Sequence, residues 1–132
     1  MKKYLIIVVV LLLLVGCSTK EKTAEKHGRG ISVEMSDLDS ISYMAIKIYV
    51  DGLIFADHFL YKEEGYFQAG ENVWFDAPVF PGDHLQEIEI VYSANRDGSD
   101  STTTNRIDIT KAKEWVNARL TNELQVELVE YK

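Results

Sequence analysis

Apolar and polar residues alternate with a period of two along most of the chain after residue 30. The alternating runs cover residues 31–35, 43–50, 53–61, 73–79, 85–92, 103–110 and 124–128. A period of two is typical of β-strands that bury one face. We therefore predict about seven short strands forming an antiparallel β-sandwich, Ig-like in the loose sense, with a small β-barrel as the alternative.

One stretch, residues 111–120, fits this alternation less well. Ala112, Trp115, Val116 and Leu120 fall at helical spacing, and Thr110 is a suitable N-cap residue. The positions from Val116 to Leu120 also alternate, so a strand remains open. We favour a short helix or helical turn here.

Asp51-Gly52 separates two of the runs and predicts a tight hairpin, because a type I′ turn needs two residues with positive φ. A two-residue turn gives the pairs Val50 with Leu53, Ile48 with Phe55, Ile46 with Asp57 and Met44 with Phe59. Asp57 is then the one charged residue on an apolar face. It either lies at the edge of the core or is turned outward by a β-bulge.

The opposite face of the hairpin is also rich in apolar residues. It includes Tyr43, Tyr49 and Leu60. Two explanations are open: a later segment of the chain covers this face, or the face binds a partner.

A second candidate binding position is Trp74. If Val73 and Phe75 point inward, Trp74 points outward, and Pro78 indicates an edge strand. An exposed Trp near Tyr66 would suit a peptide, glycan or protein partner, whereas a neighbouring loop covering Trp74 would make it structural.

The N-terminus has the three parts of a secretory signal. Lys2 and Lys3 are followed by an apolar run from Tyr4 to Val15, which is shorter than the roughly 18 residues of a spanning helix. The run ends in Leu14-Val15-Gly16-Cys17, which resembles the lipobox of bacterial lipoproteins. That resemblance covers 17 residues and implies cleavage after residue 16, attachment of a diacylglycerol to Cys17, and anchoring to the cell membrane or outer membrane.

Composition divides the rest of the chain in two. Residues 17–30 lack bulky apolar side chains and predict a lipidated Cys followed by a flexible tether. Residues 31–132 carry 8 Lys and Arg against 19 Asp and Glu, a net charge of −11, within a chain of net charge −7. This balance argues against a nucleic-acid partner. It fits either solubility or a cationic partner.

Catalytic patterns are absent from the sequence. There is no Gly-x-Ser-x-Gly, P-loop or dinucleotide fingerprint, and Cys17, the sole Cys, is assigned to lipid attachment. The segment Asn95–Asp100 is interpreted as a hydrophilic loop, with a loose calcium site through Asp97 and Asp100 as the alternative. We expect no cofactor and no enzymatic activity.

These observations predict a lipid-anchored envelope protein whose β domain acts as a non-enzymatic binding or adaptor module for a protein or glycan. Two alternatives remain. One is an inhibitor or immunity lipoprotein that blocks a cationic enzyme, and the other is a structural subunit of an envelope complex.

Overall fold

The computed structural model describes residues 23–37 and 40–132, and the lipobox lies outside them. The described residues fold as an all-β sandwich with one short helix. The elements are α1 (Ala24–His27), β1 (Gly30–Met35), β2 (Tyr43–Val50), β3 (Leu53–Tyr61), β4 (Asn72–Phe75), β5 (Gln86–Ser93), β6 (Thr102–Asp108), β7 (Trp115–Leu120) and β8 (Val126–Tyr131). No helix in this part of the chain is long and apolar enough to cross a membrane.

Two four-stranded sheets make up the sandwich. Sheet I has the strand order β4-β1-β7-β8, and sheet II has the order β3-β2-β5-β6. Neighbouring strands are antiparallel except β1 and β7, which are parallel. The described strands thus form two separate sheets, which confirms the predicted sandwich rather than the small barrel.

The core lies between the sheets and is built mainly from β-branched residues at alternating positions. In sheet I the inward residues include Ile31 and Val33 of β1, and in sheet II they include Ile46 and Ile48 of β2. These four side chains are fully buried. Burial of such side chains contributes about 1.5–3 kcal/mol each to stability.

The helix predicted at residues 111–120 is wrong. Residues 115–120 form β7, which pairs in parallel with all of β1, from Gly30 opposite Trp115 to Met35 opposite Leu120. Val116, Ala118 and Leu120 point into the core, as the weaker period-two pattern allowed. β7 is the strand that the seven-strand prediction lacked.

The flexible tether predicted over residues 17–30 is wrong for residues 23–30. Thr23 caps α1 by accepting a hydrogen bond from the Lys26 backbone N–H, and Gly28 ends the helix in the left-handed conformation. Ala24 is completely buried against the outer face of sheet I, where its N–H donates to Ser32 Oγ at 3.1 Å. The folded domain therefore includes Thr23.

The hairpin at Asp51-Gly52 forms with φ values of 51° and 82°, as a type I′ turn requires. Only the first predicted pair, Val50 with Leu53, is correct. A β-bulge opposite Ile48 and Tyr49 leaves Phe55 without a partner and shifts every later pair by one residue.

Beyond the bulge, Asp57 lies opposite Lys47, and the remaining pairs are Ile48–Ala56, Ile46–His58, Ala45–Phe59, Met44–Leu60 and Tyr43–Tyr61. Directly opposed residues share a face. Asp57 therefore lies on the outer face of sheet II, which is the bulge alternative given above.

The two lateral sides of the sandwich differ. Between β6 and β8, the Asn105 side chain donates to Val126 O at 3.1 Å and accepts from Val126 N at 2.8 Å, so its amide takes the place of a paired backbone residue. This bridge closes one side. β3 is the edge of sheet II on the other side.

Candidate binding surface on strand β3

Exposed apolar side chains are concentrated on β3. Twelve large apolar residues are well exposed in the described part of the chain, and six of them belong to this nine-residue strand. They are Leu53, Ile54, Phe55, Phe59, Leu60 and Tyr61. A group of this size on one strand is unusual, and it makes β3 the candidate interaction surface of the described residues.

The backbone of β3 is open along its outer edge. Lys62 N donates to Ser42 O at 2.8 Å, which directs the backbone groups of residue 62 toward β2. Because this direction alternates along an antiparallel strand, the N–H and C=O groups of Asp57, Phe59 and Tyr61 point away from the sheet. In the described residues, no strand pairs with this side of β3.

Phe59 is the central aromatic residue of the exposed surface. Its side chain is 60% exposed, and its ring stacks on that of Tyr43 with 6.0 Å between the ring centroids. Tyr43 is half-buried because Gly98 lies against its other side, where an added Cβ would come within 2.9 Å of the ring. Burial, and then the nearby charge of Asp57, raise the pKa of Tyr43.

Tyr61 continues the surface toward the end of β3. The Arg96 guanidinium lies 5.9 Å from the centre of its ring, and Arg96 also donates to Glu63 O at 3.0 Å. The 94–99 loop therefore covers Tyr43 and one side of the Tyr61 ring, which stays 47% exposed. This outcome supports the explanation that a later segment covers part of the face.

Tyr49, which we predicted as part of a binding face, is instead buried on the outer side of sheet II. It is only 7% exposed. The Arg106 guanidinium lies 3.6 Å from its ring centre, and its hydroxyl donates a hydrogen bond to Glu89. Glu89 also pairs with Arg106, with Nε and Oε2 3.6 Å apart. Tyr49 is a packing residue and is not available to a partner.

We expect Tyr49→Phe to lower the free energy of unfolding by about 1–3 kcal/mol at pH 7, because the buried Glu89 carboxylate loses a donor. The hydrogen bond to Glu89, followed by burial, raises the pKa of Tyr49. A raised folded-state pKa stabilises the fold below the ordinary Tyr pKa near 10, and this stabilisation is lost as pH rises through the folded-state value.

The difference between wild type and Tyr49→Phe should therefore shrink above about pH 10. Urea unfolding at pH 7 and at alkaline pH measures it. Tyr66→Phe, at an exposed ring, serves as the control and should change little. A constant difference across this range would contradict the assigned hydrogen bond.

Leu60 does not share a face with Tyr43 and Tyr49, because the bulge reverses its direction. It lies opposite Met44, whose side chain points into the core. Leu60 still remains 40% exposed at the open edge of β3. The predicted face of Tyr43, Tyr49 and Leu60 is therefore corrected to Phe59 and Tyr61 beside Tyr43.

Trp74 points outward from sheet I as predicted, but α1 and the residues after it cover its ring. The ring stacks on His27 with 3.9 Å between centroids, and its Nε1–H donates to Arg29 O at 3.0 Å. These partners belong to the segment predicted as a tether. Tyr66 is exposed in the loop after β3, and the ring contacts of Trp74 do not include it. Trp74 is therefore covered by a neighbouring segment, which is the structural role given above as the alternative to partner binding.

The charges along β3 are acidic and in part unpaired. Asp57 lies at the middle of the strand, with Glu64 and Asp83 in loops that follow β3 and precede β5. In the described part of the chain, none of these three carboxylates is within ion-pair distance of a basic group. The neighbouring Glu63 is paired with Arg96.

The Asn95–Asp100 loop is held by its own hydrogen bonds. Asp97 Oδ1 accepts from Ser99 N at 3.0 Å and from Ser99 Oγ at 2.7 Å. These bonds lower the pKa of Asp97. Within the residues that the structure describes, no group of three or more His, Cys, Asp or Glu side chains is placed to hold a metal ion.

The sequence pattern missed the importance of Phe55 and Phe59. The two-residue register pairs them with Ile48 and Met44 and therefore predicts that both lie in the core. In the structure Phe55 packs edge-on against Phe80, with 4.6 Å between centroids, and buried Gln86 holds residue 80 by accepting from its N–H at 3.0 Å. The sequence feature that could have indicated their exposure is that both faces of residues 53–61 are apolar.

Comparison of the chain with protein-family models, curated proteins and solved structures gives no match.

Proposed function

We propose that this chain is a lipid-anchored lipoprotein of the bacterial cell envelope whose acidic β-sandwich binds another protein without catalysing a reaction. The observation that carries the binding role is the exposed apolar surface of β3, which holds half of the well-exposed large apolar residues described. The resemblance of Leu14-Val15-Gly16-Cys17 to a lipobox supports the anchor.

A protein partner is a better match to this surface than a glycan. Glycan-binding sites place aromatic rings beside several convergent polar groups, whereas the exposed part of β3 is an apolar strip with an open backbone edge. Exposed aromatic and aliphatic side chains of this kind are typical of the centre of a protein interface.

The test of the binding role is photo-crosslinking in intact envelopes. A benzophenone amino acid replaces Phe59 in the full chain, and the matched control places it at Tyr131, an exposed aromatic residue on β8, the edge of sheet I. We expect one abundant protein adduct from position 59 and none of the same mass from position 131. Equal adducts from both positions would contradict a binding surface on β3.

The anchor is tested separately by metabolic labelling with alkyne-palmitate. We expect label on the wild-type chain and none on Cys17→Ala. Label on both proteins, or on neither, would contradict lipid attachment at Cys17. If the crosslinked partner is an enzyme that the purified full chain inhibits, the inhibitor alternative replaces the adaptor.

A further inference from the structure

We propose that β3 binds its partner by strand addition: an extended segment of the partner pairs antiparallel with the open edge of β3 and places a Lys or Arg opposite Asp57. This inference rests on the proposed function and specifies how the partner binds. Added strands gain affinity from main-chain hydrogen bonds and specificity from alternating side chains.

The main-chain requirement is met by the outward groups of Asp57, Phe59 and Tyr61. At about 3.4 Å per residue, the nine residues of β3 span about 30 Å, enough for several bonds to an added strand. Proteins usually protect such edges with Pro, Lys or short strands. β3 contains no Pro and no Lys, and its β-bulge, another such device, is at Phe55, so the regular stretch from Asp57 to Tyr61 is unprotected.

The side chains define which partner fits. In an added strand, residues directly opposite Phe59 and Tyr61 lie beside those exposed rings, so they should be apolar. The residue opposite Asp57 lies beside a carboxylate that faces Lys47 of β2 on its other side, but no basic group is within ion-pair distance of it in the described residues. A basic side chain at that position approaches this carboxylate from its open side, away from Lys47.

Overall charge favours a basic partner over a second copy of this chain. Residues 23–132 carry 10 Lys and Arg against 20 Asp and Glu, so two copies repel each other. In addition, symmetric pairing of two β3 strands centred on residue 57 would place Asp57 opposite its own copy. Like charges directly opposite each other destabilise a strand pair.

The probe is a capped nonapeptide, Val-Thr-Phe-Thr-Lys-Thr-Val-Thr-Val, which places its central Lys opposite Asp57 and Phe and Val opposite Phe59 and Tyr61. A matched peptide carries Glu in place of Lys. Hydrogen exchange of the full-length chain in phospholipid nanodiscs, titrated with each peptide, reports on individual β3 amides. We expect the Lys peptide to protect the amides of Asp57 and Phe59, and to bind about fivefold more tightly than the Glu peptide.

The charge contact is tested with two variants of equal net charge. Asp57→Lys should reverse the preference, so that the Glu peptide binds more tightly. Glu123→Lys, in the exposed turn between β7 and β8, should keep the preference of the wild type. If both variants change the preference equally, the effect is one of net charge, and the contact at Asp57 is wrong.

Three further outcomes would overturn strand addition. The first is that no β3 amide is protected at about 1 mM peptide, because a Kd above that concentration is far weaker than that of a typical interface. The second is protection confined to residues outside β3. The third is that the β3 amides are already protected without peptide, by self-association of the chain. A crosslink from position 59 combined with any of these results would leave the proposed binding role intact and remove only the mode of binding.

Discussion

Gly30→Ala is expected to destabilise the domain by about 4 kcal/mol, a large share of the roughly 5–15 kcal/mol by which a typical domain is stable. Gly30 has a φ of 87°, which costs a residue with a side chain about 1–3 kcal/mol. An added Cβ would also lie 2.5 Å from Phe75 O and 2.7 Å from Trp74 Nε1. The backbone oxygen cannot move without disturbing the pairing of β1 with β4, so overpacking adds a similar cost.

Gly28→Ala is the matched control for this experiment. Gly28 also has a positive φ, 72°, but nothing lies within 4 Å of an added Cβ. We expect only the backbone cost of about 1–2 kcal/mol. Urea unfolding followed by Trp fluorescence measures both variants. Equal losses would show that β1 does not approach β4 as closely as described.

Ile48→Ala is expected to lower the free energy of unfolding by about 2–5 kcal/mol, because it leaves a cavity between the sheets. Ile48 is completely buried on β2. Ile54→Ala, on the neighbouring strand of the same hairpin, removes the same atoms from a side chain that is 60% exposed. We expect a change within about 0.5 kcal/mol there.

Comparing Ile48→Ala with Ile54→Ala tests which face of the hairpin is buried, because the same chemical change is made once on each face. Thermal or urea unfolding of the two variants gives the comparison directly. A large loss for Ile54→Ala would mean that β3 is covered, and the binding surface would have to be reconsidered.

The strand pattern could be predicted from sequence because half-buried strands alternate with a period of two. The runs that became β1, β2, β5 and most of β3 were identified, as was the turn at Asp51-Gly52. The hairpin register beyond Tyr49 could not be predicted, because both faces of residues 53–61 are apolar and give no sign of the bulge at Phe55.

Two further errors have long-range causes. β7 is a strand because it pairs with β1, about 85 residues earlier, and local spacing of Trp115 and Val116 does not report such pairing. Residues 23–30 contain no bulky apolar residue, yet Ala24 is buried, since a small side chain fits where α1 meets Ser32. The stacking of His27 on Trp74 could not be predicted either, because it depends on the same docking of α1 onto sheet I.

The docking of α1 has a consequence for orientation. With Thr23 already fixed to the outer face of sheet I, a lipid on Cys17 would be joined to the domain by only six residues, which span at most about 20 Å. The linker would then start from the outer face of sheet I, whereas the outer face of sheet II, with Asp57 and Phe59, lies on the opposite side of the sandwich. A lipid anchor at this position would therefore leave the outer face of sheet II accessible to partners from the aqueous side.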